Sequence, residues 1–315
     1  MGGGAYSSAS RGATYTTAKA TGASVFRHMA DLKQAGKALV VHPLLDPRRT
    51  NEAGRVVRES RDSDEHPNSL PIAIMLDVTG SMSDTLRVFI DKLPILMNLL
   101  VDKIDIADPH ILFGFIGDAY SDRVPLQVGN FESDNQKIDE CFTAAVPEGG
   151  GGGQNTESYE LGAYFLARHT ELDSLDKRGK KGYVFFTGDE LPKQYVSRGQ
   201  VNYLIGDTLL ADIPMEDIFA ELKEKFNVFW IFPGQTSNYY DASINKRLKR
   251  LFGKGLIKLP NPNDICEMVA MTIAVCEGAT TEEARAAYLS FGADAKGVAA
   301  AETALAQVIR ERSFA

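Results

Sequence analysis

The sequence predicts an α/β fold, with a mostly parallel central sheet covered by helices on both faces. Three observations carry that expectation. Apolar runs of strand length at 72–76 (IAIML), 111–116, 182–186 and 228–232 are too continuous for a sheet with one face in water. Segments with apolar residues at helical spacing alternate with them. Three of the runs end on polar residues: Asp77, then Gly117-Asp118, then Thr187-Gly188-Asp189. Ligands of open parallel sheets bind outside such strand ends.

Taken in order, residues 1–20 are rich in Gly, Ser, Ala and Thr with little apolar content, which predicts a flexible leader. A short helix follows over 25–37, with Phe26, Met29 and Leu32 on one face and Gly36 near its stop. Residues 39–41 are expected as an edge strand, and the polar, mixed-charge stretch 46–69 as a loop or linker. Residues 1–69 therefore read as an N-terminal extension. The strand at 72–76 leads into a helix over 84–103, kinked at Pro94. Strand 111–116, edge strand 124–128 and a helix over 134–145 come next. A glycine-rich loop, 149–153, opens a helix expected over 156–169. Strand 182–186, helix 215–226, strand 228–232, helix 241–252, strand 255–259 and helix 263–275 complete a domain over 70–277. The tail, 278–315, reads as a helical appendage with helices over 280–291 and 294–312. No internal repeat is present.

With 315 residues, 44% hydrophobic and 24% charged, the chain has the ordinary globular balance and can bury a sizeable core. The net charge of −8 excludes a general attraction to nucleic acid or anionic membranes and suits metal ions or basic protein surfaces. Cys141, Cys266 and Cys276 are too few and too scattered for a disulfide framework or a zinc site. The N-terminus lacks a basic segment followed by an apolar stretch, and no apolar run approaches about 18 residues. Tyr6 stands where an N-myristoylation signal needs a hydroxyl amino acid. A cytoplasmic protein without membrane contact is expected.

The chemistry sits in three loops. Asp77-Val78-Thr79-Gly80-Ser81-Met82-Ser83 places a carboxylate and two hydroxyls on alternate residues of a turn. Such oxygen donors suit a hard divalent cation. Hydroxyls also leave the ion less neutralised than a cage of carboxylates would. Asp-x-Thr-Gly-Ser-Met-Ser resembles the metal-ion-dependent adhesion site of the von Willebrand factor A family, usually Asp-x-Ser-x-Ser. Gly152-Gly153-Gln154-Asn155-Thr156 is similar to that family's Gly-Gly-x-x-Thr. Thr187-Gly188-Asp189 resembles its Thr-Asp-Gly with Gly and Asp exchanged.

The resemblance covers about residues 70–277 and implies a Rossmann-like fold of that family. It implies a Mg²⁺ ion (or Mn²⁺ or Ca²⁺) held by Asp77, Thr79, Ser81, Thr156 and Asp189, some of them through water, and a vacant position that takes an Asp or Glu of a protein partner. It also implies a non-catalytic adaptor working beside an AAA+ ATPase or within a multi-component assembly. DEHP at 64–67 and KRGKKGYVFFTGDE around the third strand suggest a bacterial or phage subfamily.

Asp84 matches an acidic position of an adjacent second cation site in integrin β-type domains, but the next residue is Thr85, and a helix N-terminal acid explains it as well. Asp118 and Asp122 either shape the site or form a turn. The glycine run lacks a following Gly-Lys-Ser/Thr, which argues against a phosphate loop. His110 and His169 read as structural. Lys177, Arg178, Lys180 and Lys181 make a basic turn, and Lys246, Arg247, Lys249, Arg250 and Lys254 a basic helix face. These leave RNA binding as the alternative function: the Ro ribonucleoprotein also carries an A-type domain, although its RNA site lies on helical repeats not seen in this sequence. A metal-dependent hydrolase is a third: Asp77, Asp118 and Asp189 near one cation would activate water, but no His or Lys of these loops is placed as an acid/base partner.

Overall fold

The computed structural model describes residues 25–100, 108–150 and 155–290. A helix α1 (Arg27–Gln34) and a strand β1 (Arg58–Ser60) precede the main sheet. Then come β2 (Leu70–Asp77), a 3₁₀ turn (Gly80–Met82), α2 (Ser83–Asn98), β3 (Pro109–Ile116), β4 (Leu126–Val128) and α3 (Asn135–Ala144). The central stretch holds β5 (Thr156–Glu157), α4 (Tyr159–Arg168), β6 (Thr170–Leu172), α5 (Asp173–Arg178) and β7 (Gly182–Thr187). It continues through β8 (Leu191–Pro192), β9 (Tyr195–Val196), α6 (Arg198–Leu204), β10 (Ile213–Pro214), α7 (Met215–Lys225) and β11 (Phe226–Pro233). The last elements are α8 (Ala242–Phe252), β12 (Leu256–Leu259), α9 (Ile265–Glu277) and α10 (Thr281–Ser290).

Six strands form the main sheet in the order β12-β11-β7-β2-β3-β4. All neighbours are parallel except β3 and β4. The chain runs outward from β2 in one direction and then returns through β7 to build the other half, so strand order reverses between β2 and β7. That is the topological switch point, where a crevice opens beyond the strand ends.

Both faces of β2 are buried. Ile72, Ile74 and Leu76 enter a core shared with α2, α3 and α9, whereas Ala73 and Met75 enter a second core with α4, α7 and α8. The period-2 alternation of a strand thus feeds two hydrophobic layers, and each large aliphatic side chain buried there contributes roughly 1.5–3 kcal/mol. This is the α/β sandwich that the apolar runs predict.

Several local expectations need correction. Residues 39–41 are not a strand. The helix α2 runs through Pro94 as far as Asn98, and residues 101–103 lie outside the described ones. Thr156 does not open a helix: it pairs with Leu191 in a two-residue parallel bridge, and α4 starts at Tyr159. The second tail helix, 294–312, lies outside the described residues. Within 46–69, β1 pairs in parallel with β6, which the polar composition of the stretch hides.

Arg58 explains how so polar a segment packs. Its side chain is buried and lies over the Phe165 ring. The guanidinium donates to the carbonyls of Asp46 (2.7 Å), Arg49 (2.9 Å) and Gly129 (3.1 Å). Burial pushes its pKa down to about 9. Nearby, the Val128 N–H of edge strand β4 donates to the Leu45 carbonyl (2.8 Å). Hydrogen bonds therefore seat the extension on the domain where apolar side chains are few.

The Arg58→Met variant keeps the stem and leaves those carbonyls without their donor. We expect it to lower stability by about 2–4 kcal/mol, read as a shift of the urea midpoint at unchanged slope.

Candidate metal centre

Asp77 closes β2 and Thr187 closes β7, and Leu76 pairs with Thr187 across the switch point. The two loops leaving these strands thus start side by side. In the first, Thr79 turns back on Asp77: its N–H (2.8 Å) and its hydroxyl (2.5 Å) both donate to Asp77 Oδ1. In the second, Asp189 Oδ1 accepts from the Ser81 hydroxyl at 2.9 Å. The other oxygen of Asp189 is buried and has no hydrogen-bond partner.

The loop 77–82 is held from outside as well. Gly80 N–H donates to the Gly150 carbonyl (2.8 Å) and Gly149 N–H to that of Val78 (3.3 Å). Asp77, Thr79 and Asp189 are buried and Thr156 is half-buried, whereas Ser81 faces solvent. The mouth of the site is therefore at Ser81.

The donor set fits a hard divalent cation. Each hydroxyl of Thr79 and Ser81 points its proton at a carboxylate, which leaves its lone pairs for an ion. The orphaned Asp189 oxygen supplies an anionic donor, and a buried carboxylate oxygen without a partner is costly unless something cationic meets it. Among the described residues no three His, Cys, Asp or Glu side chains converge on a common point. The two hydroxyl–carboxylate units, Thr79 on Asp77 and Ser81 on Asp189, do not amount to such a group, and the Thr156 hydroxyl meets Lys193 instead. Gly152, Gly153 and Gln154 lie outside the described residues, so of the second motif Asn155 and Thr156 are placed.

The exchange of Gly and Asp in the third loop has a steric reason. A Cβ at Gly188 would lie 2.1 Å from the Tyr159 hydroxyl. That hydroxyl donates to Asp77 Oδ2, while the Gly188 carbonyl accepts from the Trp230 ring N–H at 3.0 Å. Glycine is the residue that fits under Tyr159, so the carboxylate comes one position later.

Sequence reasoning missed Tyr159, Glu157, Glu160, Glu190 and Lys193. Burial pushes the Asp77 carboxyl up to about 7, with Asp189 adding to it while Thr79 and Tyr159 oppose it. Burial likewise raises Asp189, and takes Glu157 to about 9, Glu160 to about 8 and Glu190 to about 7. Glu157 Oε2, Glu160 Oε1 and Glu190 Oε2 are buried without hydrogen-bond partners. Amid them Lys193 meets Asp118 Oδ1 at 2.9 Å and donates to the Thr156 carbonyl (2.9 Å) and hydroxyl (3.3 Å). The reading that no His or Lys sits in these loops as an acid/base partner thus overlooked a lysine that reaches Asp118 and Thr156 from the segment after the third loop. Its signal in the sequence is one basic residue four positions after Asp189.

The remaining candidates sort cleanly. Asp118 lines the site through Lys193, whereas Asp122 closes a turn by accepting from the Asp118 N–H (2.8 Å). Asp84 is exposed, in the first turn of α2 and 3.7 Å from Arg87, as a helix N-terminal acid. His110 meets Ser60 (3.1 Å), and His169 meets the Val56 carbonyl and Asp207 (both 2.7 Å), so both are structural. The three cysteines are thiols. No helix among the described residues is long and apolar enough to cross a membrane.

No family model and no curated protein matches the sequence. Solved structures do. Proximal thread matrix protein 1 from the mussel byssus is 13% identical with a TM-score of 0.42, over 66% of this chain and 48% of that one. The same protein with a zinc occupied MIDAS motif scores 0.43, at 13% identity over 66% and 48% of the two chains. The pilus adhesin SpaC from Lactobacillus rhamnosus GG scores 0.46 at 9% identity, over 68% of this chain and 31% of that one. The chain spans about half or less of the length of these proteins.

Two expectations follow. Folded Asp77 holds its proton up to about pH 7, whereas an unfolded aspartate loses it near pH 4. The Asp77 contribution to the stability of the metal-free protein should therefore be fullest below about pH 4 and be lost as pH rises toward 7, so that the stability difference between wild type and Asp77→Asn in thermal melts changes across that window. Gly188→Ala should push Tyr159 off Asp77 and weaken Mn²⁺ binding at least about tenfold by calorimetry, with Gly188→Ser no better.

Proposed function

We propose that the protein is a metal-dependent protein-binding module of the von Willebrand factor A type. Asp77, Thr79, Ser81, Thr156 and Asp189 would hold the ion, some through water, and a partner carboxylate would complete its coordination. The single observation that carries this reading is the pair of hydroxyl–carboxylate units, Thr79 on Asp77 and Ser81 on Asp189, at neighbouring strand ends.

The chemistry follows from the donors. A bound divalent ion supplies an electrophilic centre at the protein surface. Three hydroxyls among five donors would leave it less neutralised than a cage of carboxylates would, which favours an incoming Asp or Glu over water. Asp77, whose carboxyl burial raises to about 7, would give up its proton to a bound ion, which would couple binding to pH. Tyr159 and Trp230 exclude water from the buried side, and Ser81 leaves the outer side open. We read the site as binding rather than catalytic, because Lys193 is tied to Asp118 and Thr156. Mg²⁺ is the expected resident, with Mn²⁺ or Ca²⁺ as substitutes. The partner is a protein presenting an acidic residue, in an assembly that could include an AAA+ ATPase.

At about 100 times its dissociation constant, Mg²⁺ or Mn²⁺ should stabilise the fold by about 2.7 kcal/mol, raising the melting temperature by roughly 5 °C. Asp77→Ala should abolish that rise. Partner capture by the wild type should be lost with EDTA and with Asp77→Ala; an unchanged thermal shift in the variant removes the site as assigned.

A further inference from the structure

We propose that the Lys193 ammonium is a built-in competitor for the divalent cation at Thr156 and so sets how tightly the site holds its ion. This deepens the metal-binding reading above and rests on it. Lys193 lies between β8 and β9, with a side chain only 11% exposed. The ammonium touches Asp118 Oδ1 at 2.9 Å, the Thr156 carbonyl at 2.9 Å and the Thr156 hydroxyl at 3.3 Å, and stands 5.0 Å above the Tyr120 ring. The groups facing it are acidic side chains: Asp118 in direct contact, with Glu157, Glu160 and Glu190 around it. Glu160 Oε2 also accepts the Lys193 backbone N–H at 3.1 Å.

An ammonium can only donate, so it occupies a lone pair of the same Thr156 oxygen that a metal would use. A divalent ion on that oxygen would share it with the ammonium 3.3 Å away and so bring two like charges close together. The ammonium and the ion therefore oppose one another. Without the ion, Lys193 compensates part of the carboxylate charge at this sheet edge. When the ion enters, the ammonium gives up Thr156 and keeps Asp118 and the face of Tyr120, a ring that is 73% exposed. The consequence is a modest affinity for the ion alone, raised when a partner carboxylate adds negative charge.

A lysine that merely held Thr156 in place would have the opposite signature, which makes the proposal testable. Mn²⁺ binding is measured by calorimetry on the full chain, with thermal melts as the folding control. Lys193→Gln and Lys193→Met should each tighten Mn²⁺ at least about tenfold, while Lys193→Arg stays within about threefold of wild type. Unchanged or weaker binding in the neutral variants, with Asp77→Ala still abolishing it, overturns the competitor and leaves the metal site standing. Absence of any Asp77-dependent Mn²⁺ binding in wild type and variants overturns the metal site itself. A neutral variant that folds only with Mn²⁺ supports exchange of one cation for the other; one that folds with neither makes Lys193 purely structural and overturns the proposal.

Discussion

The parallel pairing of β2 with β7 is the constraint on which the rest depends. It places the ends of two strands, and so Asp77 and the loop to Asp189, next to one another. Because both strands are covered on both faces, neither can slip in register without driving an entire set of side chains out of its core. The position of the two carboxylates is thus inherited from hydrophobic packing some distance below them. Polar groups at the strand ends need only point upward to meet.

Bringing acids together in this way is electrostatically unfavourable, and the molecule relieves it in three ways. Protons are retained, as at Asp77, Glu157 and Glu160. Hydrogen-bond donors converge, as Thr79 and Tyr159 do on Asp77. An ammonium, that of the half-buried Lys193, stands among the carboxylates. A divalent ion would replace the first of these devices and compete with the third, while leaving the second intact. Structure and pH response are therefore two views of a single charge balance.

The main sheet was legible because a strand buried on both faces must be apolar throughout, and residues 72–76, 111–116, 182–186 and 228–232 are so. The short pairings were not. Arg58–Ser60 against Thr170–Leu172 and Thr156–Glu157 against Leu191–Pro192 are two or three residues long and mix polar with apolar side chains, so their pairing depends on long-range contacts rather than on local pattern. Of the candidate site, Asp77, Thr79 and Ser81 were readable because they lie on one turn. Tyr159, Glu157 and Lys193 were not, since nothing in a single sequence announces which side chains burial will bring together.

The outer strand of one side of the sheet, Leu126–Val128, is three residues long and antiparallel, and its Val128 N–H is taken by Leu45 of the N-terminal extension. An open strand edge is a template on which another chain can add itself. By taking the Val128 N–H, the same segment that seats Arg58 and buries Leu45 also leaves this edge less able to pair with another chain, so one stretch of extension serves both the folded state and its separation from its neighbours.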